Sequence, residues 1–261
     1  MSAPTSCVVT GGARGIGRAI AEAMVAEGHR VVITDLDGDG AQRTATEIGA
    51  VAGLAQDVRD AESHREVARV ATEHGELTAW FNNAGVAFDD DLVDLSDDQV
   101  RASVEVNVLG VMFGTRAAID AFGPGGGDVV ITSSLSAHGP VPNLSVYAAT
   151  KAAVLSLAMS VNLETPRRVR VHALCPDGVK TAMVEAMQGG KGEKLVRSGG
   201  PLLTVDEVAR AAVDLVGSRR VVRTLPAWRA AAMKFSTLLP SQAGPALALF
   251  ARQGARRTDD A

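Results

Sequence analysis

Strand-like runs alternate with helical patterns from the first residues of this chain, and that alternation leaves few folds open to it. Ser6–Thr10 reads as a strand and Gly15–Glu27 as a helix, with Ile16, Ile20, Ala23 and Met24 on one face and Gly28 as the stop. Arg30–Thr34 is the next strand and Ala41–Ile48 the next helix. Strand-like runs recur at Val51–Gln56, Thr78–Phe81, Asp128–Thr132 and Arg168–Leu174. Helical patterns recur at Ala61–His74, Asp97–Phe122, Val146–Glu164 and Val205–Val216, and Ser96 with Gln99 makes a capping box before the fourth helix. Strands joined by helices run parallel with right-handed crossovers, so the helices cover both faces of one doubly wound α/β sheet. Ligands of such a sheet bind beyond the carboxyl ends of its strands. The residues just after the strands therefore carry the information.

Between the first strand and the first helix lies Thr10-Gly11-Gly12-Ala13-Arg14-Gly15-Ile16-Gly17. Gly11 permits a tight turn, Gly15 lets the backbone approach a pyrophosphate, and Gly17 lets helix and strand pack closely. The free N–H groups of the helix start, from Ile16 on, offer about half a positive charge to phosphates. This is a Rossmann-type dinucleotide site. Asp35 ends the second strand, 18 positions after Gly17. An acid there accepts from both adenosine ribose hydroxyls and repels a 2′-phosphate, which selects NAD over NADP. Arg14 pulls the other way, because a cation in the glycine loop can meet that phosphate. Asp57 and Val58 end the third strand, where they can meet the adenine edge. After the fourth strand, the small residues of Asn82-Asn83-Ala84-Gly85 let backbone approach the cofactor. Gly123–Gly127 lacks the Gly-Lys-Ser/Thr ending of a P-loop and reads as a plain turn.

Tyr147 is the chain's one tyrosine, and Lys151, one of five lysines, follows it by four positions on a helix. Residues so spaced share a face. An ammonium at ~4 Å and an effective dielectric of ~20 is worth ~4 kcal/mol, enough to bring a phenol from ~10 toward ~7. That range suits a general base. Ser134 ends the fifth strand, thirteen positions before Tyr147, where it can hold a substrate oxygen; Ser133 and Ser136 are its neighbours. Asn107 interrupts an otherwise apolar helix face of Val104, Val108 and Val111. An interior asparagine disfavours a helix, so it has a polar duty or is a satisfied buried amide.

Taken in order, these pieces resemble the short-chain dehydrogenases/reductases, in their short single-domain branch. The matching residues are Thr10-Gly-x-x-x-Gly-Ile-Gly17, Asn82-Asn-Ala-Gly85, Asn107, Ser134, Tyr147-x-x-x-Lys151 and Pro176-x-x-Val179-x-Thr181, over about Thr5 to Val216. The resemblance implies a sheet of about seven strands and an NAD-dependent exchange of hydride between a secondary alcohol and a ketone. It implies that Tyr147 is the acid/base, that Lys151 tunes it and binds the nicotinamide ribose, and that Ser134 holds the substrate oxygen. By the same resemblance, Asn107 positions a water in a proton relay. Pro176, Val179 and Thr181 border the nicotinamide, with the last two holding its carboxamide. Two departures stand out. The family usually has glycine where this chain has Asp177, and many members end in a strand followed by Asp-Gly-Gly, where this chain runs from Arg220–Leu225 into Pro226 and an apolar, basic tail. The alternatives are an NADP-dependent carbonyl reductase, a lyase or epimerase using the same pair, and a non-catalytic dinucleotide-binding regulator.

Composition narrows the rest. Hydrophobic residues make up 46% of the 261, enough for one large core, so residues 1–261 are expected to form a single domain. Two cysteines form no disulfide framework or metal site and fit a reducing cytoplasm. No signal peptide is expected at the chain's start, and no apolar run is expected to span a membrane. A net charge of −4 argues against nucleic acid as a partner. From Ser218 on, eight basic residues meet two acids, so this stretch carries a formal +6 and the remainder −10. Residues 181–200, rich in glycine, read as a lid. Met183, Val184 and Met187, with Leu135, Val141 and Leu144, point to a hydrophobic substrate or to ordinary helix packing, and His138 touches substrate or, as is commoner for a loop histidine, is simply solvated. The tail, with Trp228, Met233, Phe235, Leu238 and Leu239 beside Arg229 and Lys234, is expected to pack over the substrate mouth, on its own domain or a mate, or on a membrane surface. A homodimer or homotetramer is expected.

Overall fold

The structure is a computed structural model and describes residues 4–187 and 192–238. Its elements run β1 (Thr5–Thr10), α1 (Gly15–Ala26), β2 (Arg30–Asp35), α2 (Gly38–Ile48), β3 (Ala52–Ala55), α3 (Ala61–His74) and β4 (Glu76–Asn82). They continue through α4 (Asp97–Val104), α5 (Val111–Ala121), β5 (Gly127–Thr132), α6 (Ser145–Glu164), β6 (Val169–Pro176), α7 (Ala182–Glu185), α8 (Glu193–Val196), α9 (Val205–Val213), β7 (Val222–Leu225) and α10 (Ala227–Leu238). The strands form one seven-stranded sheet in the order β3-β2-β1-β4-β5-β6-β7, and every pair is parallel. This is the doubly wound Rossmann-type arrangement, with its order reversing between β1 and β4.

Period-2 alternation distributes the strand side chains between two cores. Cys7 and Val9 of β1, with Ala79 and Phe81 of β4, pack against α1, α2 and α9. Val8 and Trp80, from the same strands, pack with α3, α5 and α6 on the other face. Helix α6 is 20 residues long and passes a test of length and apolarity for crossing a membrane. It packs instead on the sheet, with Ala148, Val154, Leu155 and Ala158 buried.

Element bounds shift by a few residues, and one helix that reads as continuous is broken. The expected helix Asp97–Phe122 is interrupted by a π-helical turn at Glu105–Gly110, which contains Asn107. Such turns relieve a residue that cannot sit in a regular ladder. Here Asn107 turns inward to the backbone of Val86. The capping box of Ser96 and Gln99 forms as read. Residues Gly189, Gly190 and Lys191 of the lid, and Leu239 with the chain beyond it, lie outside the described residues.

A buried ion cluster locks the amino-terminal edge of the sheet. Asp128, at the start of β5, takes a forked pair of bonds from Arg170 (2.6 and 2.7 Å) and one contact from His172 Nε2 (2.9 Å). His172 Nδ1 reaches the Arg220 carbonyl (2.7 Å), so β5, β6 and the lead-in to β7 are joined. Burial pushes the Asp128 carboxyl up, but the bonds from Arg170 and His172 outweigh it and hold it below its ordinary value. A depressed carboxylate stabilises the fold above about pH 4 and stops doing so as pH falls through its lower folded value. Asp128→Ala leaves a cation and an imidazole without their counter-charge. It should cost about 3 kcal/mol at pH 7 by urea unfolding, and the cost should shrink toward pH 3; a loss independent of pH would show that packing, not charge, is what the cluster supplies.

Candidate active site

The carboxyl ends of β1, β2, β4, β5 and β6 open into one cleft of about 1220 Å³. The glycine turn forms its floor. Gly11 sits at φ +63°, and a Cβ there would fall 2.8 Å from Ala84 Cα. Gly15 sits at φ +58° with only Thr181 nearby, so its face is bare toward the cleft. A Cβ on Gly17 would lie 2.2 Å from the Gly11 carbonyl. Arg14 begins α1 without a side-chain cap, so the first N–H groups of that helix, around Gly15 and Ile16, are not satisfied by a side chain.

Asn83 braces this turn, its amide donating to the carbonyls of Thr10 and Gly11 at 3.1 Å each. The Thr10 hydroxyl accepts from the N–H groups of Asn83 (3.0 Å) and Ala84 (3.1 Å). Asn82 faces the opposite way, bonded to Trp80 and Thr115 in the core. At the end of β2, Asp35 accepts from the N–H groups of Ala13 and Asp37, both at 3.1 Å. Its carboxylate is thereby fixed at the cleft rim, with lone pairs left for further donors. Asp57 and Val58 also line the cleft. Arg59, which the sequence reading missed, grips the Asp57 carboxylate in a fork and holds its pKa below the usual range. The Asp-x-Arg spacing was its only signal.

At the far end, α6 presents Tyr147 and Lys151 toward the tip of β5. Lys151 Nζ donates to the Thr132 carbonyl (2.8 Å) and stands 5.6 Å from the Tyr147 ring centre. The three serines separate by role. Ser133 donates to the Lys151 carbonyl (2.9 Å) and so braces α6, and Ser136 gives its N–H to Ser134 (3.1 Å). Ser134 lines the cleft beside Tyr147 and is the serine that draws its phenol down. Asn107 is fully buried. Its amide donates to the Val86 carbonyl (2.8 Å) and Thr150 (3.1 Å), and its Oδ1 accepts from the Val86 N–H (2.9 Å). Both donors are spent and one acceptor position remains. A Cβ on Gly85 would meet Asn107 Oδ1 at 3.2 Å and Lys151 Nζ at 3.4 Å, so the bare glycine leaves a gap between an acceptor and an ammonium. On the other wall, Pro176 ends β6, Val179 bridges to Leu203, and Thr181 caps α7.

Residues 5–191 match the model of the short chain dehydrogenase family. This chain belongs to that family. It is 35% identical over 225 residues to a sorbitol dehydrogenase of Cereibacter sphaeroides, covering 81% of this chain and 87% of that one. It is 36% identical over 179 residues to a cis-1,2-dihydrobenzene-1,2-diol dehydrogenase of Pseudomonas putida, with 66% of this chain and only 65% of that protein's length covered. It is 33% identical over 193 residues to an NADP-dependent (R)-specific alcohol dehydrogenase of Lentilactobacillus kefiri, covering 70% and 77% of the two chains. The crystal structure of a short chain dehydrogenase/reductase from Burkholderia phymatum in complex with NAD superposes with a TM-score of 0.81 at 25% identity, over 91% of this chain and 95% of that one. The chain is thus an oxidoreductase of this family.

Two expectations for this family site need correction, and one departure finds its partner. The first concerns electrostatics. Burial pushes the Tyr147 phenol up, and the bond to Ser134 only partly opposes it. Lys151, buried beside it, is itself lowered to about 8 by the same loss of solvent. Secondly, His138 is not solvated: it is 6% exposed and bonded to Thr224 Oγ1 (3.0 Å). The departure is Asp177, where the family usually has glycine. Its carboxylate meets Arg229 of α10, a partner that sequence spacing gave no means to find. Of the lid residues, Val184 and Met187 are buried and Met183 is 38% exposed, and all three line the cleft. Outside the cleft, Asp90, Asp91 and Asp94 bring carboxylate oxygens within 4.8 Å of one another on a loop, an exposed or half-buried acidic group.

Lys151 is stored at a cost that pH should reveal. Its folded value of about 8 lies below the ordinary 10.5. Between those values the unfolded chain binds a proton that the folded one does not, so stability rises with pH across that window. Lys151→Met removes a penalty of up to about 3 kcal/mol. The variant should therefore have the higher urea midpoint at pH 7, and its advantage should fade from about pH 8 upward; a difference constant with pH would sink this reading.

Proposed function

We propose that this protein is an NAD-dependent dehydrogenase that interconverts a hydrophobic secondary alcohol and its ketone. The observation that carries the proposal is the meeting of Ser134, Tyr147 and Lys151 in the same cleft as the bare glycine turn and the fixed carboxylate of Asp35. The turn fits a dinucleotide. Left-handed glycines and an uncapped helix start leave N–H groups for a pyrophosphate, around Gly11, Gly15, Ile16 and Gly17, and a Cβ would fill the cradle. Asp35 suits a ribose diol, Asp57, Val58, Asn83, Ala84 and Gly85 border the adenosine side, and Pro176, Val179 and Thr181 border the nicotinamide side. When bound, the nicotinamide supplies the hydride chemistry.

The chain's own residues do the rest. Ser134 holds the substrate oxygen beside the Tyr147 hydroxyl. Tyr147 takes the alcohol proton in oxidation and returns it in reduction. Lys151 holds a ribose hydroxyl and favours the phenolate, and the gap over Gly85 lets a proton pass toward Asn107. The raised phenol of the free site means that this tuning is completed when ligands enter. Leu135, Val141, Leu144, Val184 and Met187 line the substrate end and favour an apolar substrate. Tyr147→Phe keeps the ring's packing and removes only the proton. We expect NADH formation from secondary alcohols to drop by ~100-fold or more while NADH still binds; retention of a tenth of the activity would remove Tyr147 from the role.

One observation favours NADP. Arg14, Arg18 and Arg43 edge a small pocket of about 180 Å³ beside Asp35. Yet Arg18 is bonded to Glu47 (2.8 Å), Arg43 pairs with Asp37 (3.7 Å), and Asp35, Asp37 and Glu47 match the three cations one for one. A 2′-phosphate of about −1.5 to −2 charges would face a carboxylate locked by two backbone N–H groups. A diol instead gains charge-assisted bonds of about 1.5–3 kcal/mol each. We expect kcat/KM to favour NAD by about 100-fold, and Asp35→Ala to collapse that ratio. Equal efficiency with NADP in the wild type would make Arg14 the deciding residue.

A further inference from the structure

The usual glycine after the strand-ending proline would need no counter-charge, and a lone arginine on a cleft-lining helix would have no reason to be buried. This chain has both changes together. Asp177 and Arg229 side chains are only 15% and 11% exposed and are paired. The same guanidinium donates through Nη2 to Ser198 Oγ (3.1 Å), from the segment after α8, and Ser198 is itself buried. The backbone completes the joint, with the Asp177 N–H donating to the Leu225 carbonyl (2.8 Å) and the Arg229 N–H to the Pro226 carbonyl (3.2 Å). One side chain therefore ties the end of β6, the lid segment and the first turn of α10. Residues at i, i+3 and i+4 share a helix face. Seating Arg229 inward carries Ala232 and Met233 to the cleft, which the lid's Met183 and Met187 also line. Flexible methionines and one small residue make a wall whose spare volume sits at Ala232.

We propose that the Asp177–Arg229 pair makes α10 the specificity wall of the substrate cleft, so that Arg229 is a positioning residue and Ala232 with Met233 sets the size of apolar substrate admitted. The inference rests on the reaction proposed above. Its test has one reading that does not need turnover. Trp228, next to Arg229, is 59% exposed and lines the cleft, whereas the chain's other tryptophan, Trp80, is fully buried. Iodide quenching of the full-length protein therefore reports the seat of α10.

Arg229→Leu should change Trp228 quenching and compress the kcat/KM preference between a bulky and a small secondary alcohol by about tenfold, a change of the size that one or two methylenes make in a pocket. Arg229→Lys keeps the charge and should restore most of both. Ala232→Phe leaves the pair intact and should shift preference toward the small alcohol by a similar factor, which keeps the proposal testable where Arg229→Leu folds poorly. An unchanged preference in Arg229→Leu and Ala232→Phe, or unchanged Trp228 quenching in Arg229→Leu, overturns the proposal. If the wild type turns over no alcohol, the reaction itself is wrong, and alcohol binding read from Trp228 emission decides instead. A size preference lost in Arg229→Leu then supports the wall, and one retained refutes it.

Discussion

The Thr10 hydroxyl holds the place where this sheet reverses direction. Strand order turns around between β1 and β4, so the chain leaves their tips toward opposite faces and a crevice opens between them. Such a crevice has no ladder to close it. Thr10 closes its base instead, by accepting from two successive N–H groups after β4 while Asn83 donates back to the turn after β1. The glycine turn is then fixed against Ala84 at a spacing that admits no Cβ at Gly11. Everything the site presents, from Asp35 to Tyr147, is placed relative to that joint.

The charges in the cleft are held in two different ways. Asp35, at the rim, is fixed by backbone N–H groups and keeps its capacity for more donors. Lys151 is kept deep, 3% exposed, with one carbonyl for company. Burial disfavours the charged forms of Tyr147 and Lys151 alike, so the free protein holds a reluctant base beside a weakened cation. Stability would be better served by apolar residues at both places. Groups kept in so unfavourable a state are what an acid–base site requires, since each gains from a partner that only ligands bring.

The sheet and the glycine turn were legible in the sequence because their signals are local. Alternating strands and helices, a capping box at Ser96 and Gln99, and a turn with fixed glycine spacing each need only a few neighbouring residues. The choice of Ser134 over Ser133 rests in the sequence on the thirteen-residue spacing to Tyr147, and the structure adds what spacing does not show: Ser133 is occupied by the Lys151 carbonyl on another element. The π turn at Asn107 escaped for the same kind of reason. Its cause is the backbone of Val86, 21 positions earlier, and nothing in the helix itself shows it. Direction of a pKa shift is likewise a property of the whole pocket. Counting one ammonium beside one phenol leaves out burial, which no pair spacing records and which acts on both.

Asp177 shows the same limit at longer range and turns it into a rule. Read alone, an acid in place of glycine beside the nicotinamide side of the site is a defect. Its partner lies 52 positions later, in a tail that read as a basic appendage. A buried acid is either neutralised or paired, and at the end of β6 burial pushes the Asp177 carboxyl up while Arg229 opposes it. The excess of arginine in the last stretch was the available supply. The rule is that an opposite charge imbalance elsewhere in the chain supplies candidates for such a pair, while only the fold shows which of them meets the acid.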